Sequence, residues 1–92
     1  MIQSFKHKGL EALFYRGTTG GLNPNWTKRL RARLEALDVA QSIEHLRLPG
    51  WRLHELTGDR EGVWSLHVTG NWRVTFRFEA DNAWDVNLED YH

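Results

Sequence analysis

The side chains best equipped for chemistry mark the two ends of the segment 53–92: His54 near its start and Asp90, Tyr91 and His92 at its close, with Arg73 and Arg77 between. Imidazole is the group best suited to exchanging protons near neutral pH. Two imidazoles and an arginine make up the set required to cleave a phosphodiester by its own 2′-hydroxyl. One group takes the hydroxyl proton, a cation stabilises the crowded phosphorane, and another group protonates the leaving 5′-oxygen. Arg73 and Arg77, projecting from one strand face, form a natural clamp for phosphate oxygens.

Other chemistries are poorly supplied. The chain has no cysteine, which removes a disulfide framework and thiolate metal sites and fits a reducing compartment. None of the five histidines shows HxxxH or HExxH spacing, and His54, His67 and His92 lie thirteen or more residues apart, so no metal or other cofactor is expected. The loop GTTGGLN lacks the lysine and spacing of a phosphate-binding P-loop. Nucleophilic serine or cysteine catalysis is equally unsupported, since Ser65 has only strand neighbours in sequence.

The elements that must position these residues follow from hydrophobic periodicity. In the run 72–78, Trp72, Val74, Phe76 and Phe78 share one face, and Arg73, Thr75 and Arg77 the other. In 63–68, Trp64, Leu66 and Val68 oppose Val63, Ser65 and His67. A plain two-residue loop at Gly70-Asn71 would set Val68 opposite Arg73 and mix the faces. A longer loop or a glycine bulge sets Val68 opposite Trp72, Leu66 opposite Val74 and Trp64 opposite Phe76, which keeps the apolar face whole. His67, Arg73, Thr75 and Arg77 then line one polar surface. In the last run, strict alternation of Trp84, Val86 and Leu88 carries Asp90 and His92 to the apolar side, so the strand must twist or end near Leu88 for them to reach a cleft.

The first half reads as helical. Residues 2–6 suggest a short strand. Lys8–Arg16 places Leu10, Leu13 and Phe14 on one helical face, with Gly17 as its stop. Asn23-Pro24 looks like an N-cap followed by proline at the first helical position, opening a helix with a Leu30, Leu34 and Leu37 stripe joined by Trp26. Residues 38–46 suggest a further helical turn or two, 51–57 opens the sheet, and 58–62 and 80–83 are turns. The order is β-α-α-β-β-β-β, an α+β chain forming one domain over 1–92, with both helices on one face of a mostly antiparallel sheet.

The net charge is zero but unevenly spread: residues 1–52 carry nine Lys or Arg and four acids, against three Arg and eight acids in 53–92. Lys28, Arg29, Arg31 and Arg33 crowd the second helix, where Arg31 can pair with Glu35. They form either a solvated face or a patch that docks on nucleic acid or an acidic protein. Balanced charge argues against strong, indiscriminate nucleic-acid binding, so an RNA substrate needs something else to deliver it. No apolar run approaches the ~20 residues of a membrane span. No signal-peptide core follows Met1, so the expected address is cytoplasmic.

Taken together, IQSFKHKGLEALF, LPGWRLHELTGDREGVWSL, GNWRVTFRF and DVNLEDYH resemble the HigB toxins of the RelE-fold family, over essentially the whole length. The combination of GDR-x-G-x-W-S, GNWR-x-T-F and a closing DYH is what makes the resemblance specific. It implies a RelE-like fold and a bacterial toxin that enters the A site of the 30S ribosomal subunit and cuts mRNA by 2′-hydroxyl attack, with no metal. His54, Asp90, Tyr91 and His92 match the family's catalytic positions, and Arg73 a residue that contacts phosphate. On that reading His54 is the base, His92 the acid, Asp90 orients an imidazole, Tyr91 positions the nucleotide and Arg73 braces the phosphorane. The implied partner is a HigA-type helix-turn-helix antitoxin, through which alone the toxin would meet operator DNA. The basic helix would face ribosomal RNA or that antitoxin. The alternative is a RelE-fold protein that only binds, acting as co-repressor with its antitoxin.

Overall fold

The computed structural model describes residues 1–90; the expectations for Tyr91 and His92 lie outside the described residues. Two helices, α1 (Lys8–Arg16) and α2 (Thr27–Val39), precede four strands, β1 (His54–Glu55), β2 (Val63–Thr69), β3 (Trp72–Glu79) and β4 (Asn82–Asp90). The strands form one antiparallel sheet in the order β1-β2-β3-β4. The fold is α+β, as expected.

Local signals account for the helix ends. Gly17 closes α1 at φ 71°, a left-handed conformation that side chains resist, and its N–H donates to the Leu13 carbonyl at 3.0 Å. Asn23 caps as its sequence suggests, its Oδ1 accepting from Asn25 N at 2.9 Å. The helix it opens starts as a 3-10 turn, Pro24–Trp26, before becoming α2. The turn expected within 38–46 is a 3-10 turn at Ile43–Leu46.

The N-terminal segment joins the far edge of the sheet, alongside β4 and parallel to it. Only Ile2 and Phe5 form bridges, to Ala83 and Val86, so it is an irregular edge rather than a full strand. Gln3 N donates to Ala83 O at 2.7 Å and Val86 N to Ser4 O at 3.0 Å. β1 is also shorter than the expected 51–57. Gly50 and Arg52 both adopt positive φ, 81° and 48°, which bends the chain before it can pair regularly.

Two bulges set the faces of the sheet. In β2, pairing runs Trp64↔Phe76, Leu66↔Val74 and His67↔Arg73, then shifts so that Thr69 faces Trp72. The Gly70-Asn71 loop does have two residues, and the bulge at Val68 preserves the apolar face. Val68 therefore does not face Trp72 as expected, because the bulge absorbs it. In β4 the pairing shifts between Asn87 and Trp84, where Asp85 sits at φ 55°. Asp tolerates this left-handed conformation better than most residues. Ser4 Oγ supports it by accepting from Asp85 N at 2.8 Å. The expected alternation of Trp84 with Val86 breaks here. Trp84 is paired with Arg77 and exposed, whereas Val86 is fully buried.

One apolar cluster unites Leu10 and Leu13 of α1, Leu30, Leu34 and Leu37 of α2, and Leu66, Val74, Phe76 and Val86 of the sheet. Each such buried side chain contributes about 1.5–3 kcal/mol.

Arg33 corrects the expectation of a four-residue basic patch. It is 7% exposed, facing the sheet with the leucines of α2. Its Nε donates to the His67 carbonyl at 2.8 Å, its Nη1 to the Arg29 carbonyl at 3.0 Å, and its guanidinium lies 4.6 Å from the centre of the Trp51 ring. Burial, and then the charge of Arg29, lower its pKa. The buried carbonyl next to the bulge needs a donor, and a long cation supplies one from the neighbouring layer. Arg33→Met should therefore destabilise the fold by ~1–3 kcal/mol, the cost of an unsatisfied buried acceptor. Thermal denaturation followed by circular dichroism checks this; an unchanged midpoint would make the Arg33 contacts energetically idle.

Candidate active site

The face of the sheet opposite the core carries the polar residues in rows set by strand pairing. His54, Ser65, Thr75 and Asn87 form one row across all four strands. His67, Arg73 and Glu89 form the next, and Val63, Arg77 and Trp84 flank the first on its other side. Successive rows are two residues apart along a strand, about 6–7 Å. Ser65 and Thr75 are buried at 0% and 2% beneath the longer side chains around them.

His54 is exposed, and its Nδ1 lies 3.2 Å from the Arg52 carbonyl and 3.5 Å from Ser65 Oγ. A carbonyl can only accept, so in the neutral ring the proton sits on Nδ1 and the Nε2 lone pair is left for a substrate proton. The left-handed turn at Arg52 (φ 48°) accompanies this contact, a backbone conformation costly for a residue with a side chain. His67 is differently employed. Its Nε2 contacts the Gly70 carbonyl at 3.0 Å, tying the ring to the hairpin turn.

Sequence reading treated 58–62 only as a turn and missed the strongest polar contact on this face. Arg60, in the 3-10 turn Gly58–Arg60, grips Glu89 of β4 through two parallel bonds of 2.6 and 2.7 Å. Thr75 Oγ1 donates to the second Glu89 oxygen. The hydrogen bonds from Arg60, with further lowering by Thr75, the Arg60 charge and Asn87, outweigh burial and hold Glu89 at a pKa of about 2. The signal available beforehand was the Arg within GDR-x-G, a cation in a turn with no helical partner.

A cleft of about 120 Å³ opens beside this contact, lined by Arg60, Thr75, Arg77 and Glu89 together with Lys6, Asp59 and Asp85. Arg77 lies across Gly62, where an added Cβ would stand 3.1 Å from its Nη1, and Gly62 holds φ 92°. The absent side chain thus makes room for the guanidinium. His54 stands outside the lining, on β1, at the end of the row that passes through Thr75.

The remaining expected residues separate. Arg73 is half-buried on the polar face between His67 and Glu89. β4 does not stop near Leu88 but keeps its register to Trp72↔Asp90, which aligns Asp90 with Trp72 rather than with Arg73. Lys28, Arg29 and Arg31 are exposed on α2, whereas Arg33 points inward. Arg31 and Glu35 border a groove with Leu13, Phe14 and Leu34, and no ion pair joins them.

Comparison with known proteins places these features in a lineage. The family model of the RelE-like toxin of the type II toxin–antitoxin system HigB matches residues 3–92. The chain is 49% identical over 92 residues to the Endoribonuclease HigB of Proteus vulgaris, covering 100% of both chains. It is 31% identical over 93 residues to Toxin HigB-1 of Vibrio cholerae serotype O1, covering 99% of this chain and 98% of the relative.

The Glu89 contact carries a pH signature. Its folded carboxyl titrates at about 2 against an ordinary value of 4.5, so its stabilisation is complete above pH 4.5 and is lost as pH falls toward 2. Glu89→Gln removes this titration. The stability gap between the parent and Glu89→Gln should therefore shrink across that window in urea denaturation series. A gap that stays constant would mean that the ion pair adds nothing to folding.

Proposed function

This chain belongs to the HigB-like toxin family of type II toxin–antitoxin systems, and from that premise we propose that it is an endoribonuclease that cuts mRNA in the ribosomal A site. The observation that carries the reading is the His54 imidazole, exposed and held with Nδ1 on the Arg52 carbonyl, on the same sheet face as Arg73 and Arg77. A base whose Nε2 lone pair is left for a substrate proton, on a sheet face that also carries cations, suits attack by a ribose hydroxyl.

In the proposed step, His54 Nε2 removes the 2′-hydroxyl proton and the 2′-oxygen bonds to the adjacent phosphorus. Arg73 stabilises the negative charge gathered on the phosphorane oxygens. The bond to the 5′-oxygen breaks as His92 supplies its proton, leaving a 2′,3′-cyclic phosphate and a 5′-hydroxyl. These groups account for both proton transfers and the charge, so the step calls for no metal. Asp90 orienting an imidazole, Tyr91 positioning the nucleotide and His92 as acid rest on the family resemblance. Arg77 is suited to hold a neighbouring phosphate.

Delivery rests with the ribosome. Lys28, Arg29 and Arg31 offer an exposed basic strip for ribosomal RNA, and the neutral whole favours dependence on the ribosome over capture of free RNA. In the bacterial cytoplasm a HigA-type helix-turn-helix antitoxin would restrain the toxin and supply any contact with operator DNA.

The test is cleavage of a defined mRNA, free and on programmed ribosomes. The ribosome-bound message should be cut at the A-site codon and the free one left intact. His54→Ala and His92→Ala should each slow the cut by ~10²-fold or more, the scale of a lost acid or base. Active ribosomes whose message stays whole would make this a binding-only protein.

A further inference from the structure

The bulge in β4 turns the largest apolar side chain of that strand away from the core. Ala83 and Val86, three positions apart, are both fully buried, which unbroken alternation forbids. The left-handed Asp85 between them, at φ 55° and held by Ser4 Oγ, absorbs the odd residue. Trp84 is left 39% exposed on the polar face as the cross-strand partner of Arg77. Bulges often re-aim a side chain in this way beside a functional site.

A lone exposed aromatic is ordinary on a protein surface. Trp84 differs in its surroundings. Arg77 has no hydrogen-bond or ion-pair partner among the described residues, and it lines the cleft of about 120 Å³ with Asp85 and Lys6. Of the carboxylates in that lining, Glu89 is held by Arg60 and Asp85 accepts from Ser4 Oγ at 3.4 Å. A flat indole beside an unclaimed guanidinium matches one unpaired nucleotide, with the base stacked on the ring and its phosphate on the cation. Trp84 lies three strands and one row from His54, about 15 Å at ordinary strand spacing. An extended RNA strand with its reacting ribose at His54 therefore brings a base to the indole a few nucleotides on.

We propose that Trp84 and Arg77 form a subsite for one message nucleotide flanking the cleaved bond, the indole stacking its base and the guanidinium holding its phosphate. This rests on the reading of the polar sheet face as the place of cleavage. Stacking accepts any base, so the subsite fixes the path of the strand rather than its sequence.

The experiment measures kcat/KM for A-site cleavage on programmed ribosomes with the parent, Trp84→Leu, Trp84→Phe and Arg77→Ala. Leucine keeps apolar bulk without a π face, so Trp84→Leu should lose about tenfold or more, whereas Trp84→Phe should keep most of the rate. Arg77→Ala should also be slower. Messages with one abasic nucleotide, placed in turn at each position around the cut, identify the base: at one position the parent should fall to the rate of Trp84→Leu, which is itself unaffected there. Trp84→Leu or Arg77→Ala at the parental rate, Trp84→Phe as slow as Trp84→Leu, or no such abasic position overturns the proposal. The last outcome with a slow Trp84→Leu would point to ribosomal RNA instead. A readout independent of cleavage uses messages carrying 2-aminopurine at each of those positions. At one of them its emission should change on adding the parent and not on adding Trp84→Leu. A parent that leaves the message whole but gives this change removes the catalytic reading and keeps the subsite; equal responses to both proteins at every position remove the subsite.

Discussion

The two-residue period of the strands ties the core and the cleft together. Every strand side chain must choose one face, so the apolar set Leu66, Val74 and Phe76 can be buried only if Ser65, Thr75, Arg73 and Arg77 line the other side. A one-residue slip of β2 against β3 would drive arginines into the leucines of α2 and dissolve the His54, Ser65, Thr75 row. Core packing therefore specifies the site. The bulges at Val68 and Asp85 are the corrections that let turns and edge pairing close without disturbing that separation.

Charge is allocated with similar economy. The chain is neutral, yet its polar sheet face gathers Arg60, Arg73 and Arg77. Arg33 is spent on a carbonyl and an aromatic ring inside the fold. Arg60 is engaged with Glu89. The cations suited to RNA are thus fewer than the composition suggests, and their placement matters more than the total. Lys28, Arg29 and Arg31 remain on the outer side of α2. This division fits an enzyme whose catalytic face is separate from its means of delivery.

Much of this was legible beforehand. The boundaries of α1, the leucine stripe of α2 and the pairing of Leu66 with Val74 follow from periodicity and caps, which are local signals. The resemblance supplied the family, and its motif residues His54 and Arg73 share the polar face. What was hidden depends on neighbours distant in sequence. Arg33 reads as one more cation on a basic helix until the His67 carbonyl is brought beneath it. Arg60 and Glu89 are twenty-nine residues apart, and neither turn nor strand pattern announces their contact. The β4 bulge is equally opaque, because Asp85 depends on Ser4 across the sheet edge.

The central claim is that a ribose hydroxyl, activated by this sheet face, cuts its own phosphodiester. The direct measurement uses two mRNAs on programmed ribosomes, one entirely ribose and one with a single 2′-deoxyribose at the nucleotide whose hydroxyl would attack. The account predicts that the first is cut to a 2′,3′-cyclic phosphate and a 5′-hydroxyl, and that the second stays whole at that bond. A cut at the deoxy-substituted position, or a 3′-hydroxyl end, would show that water or another nucleophile does the work and would contradict the account.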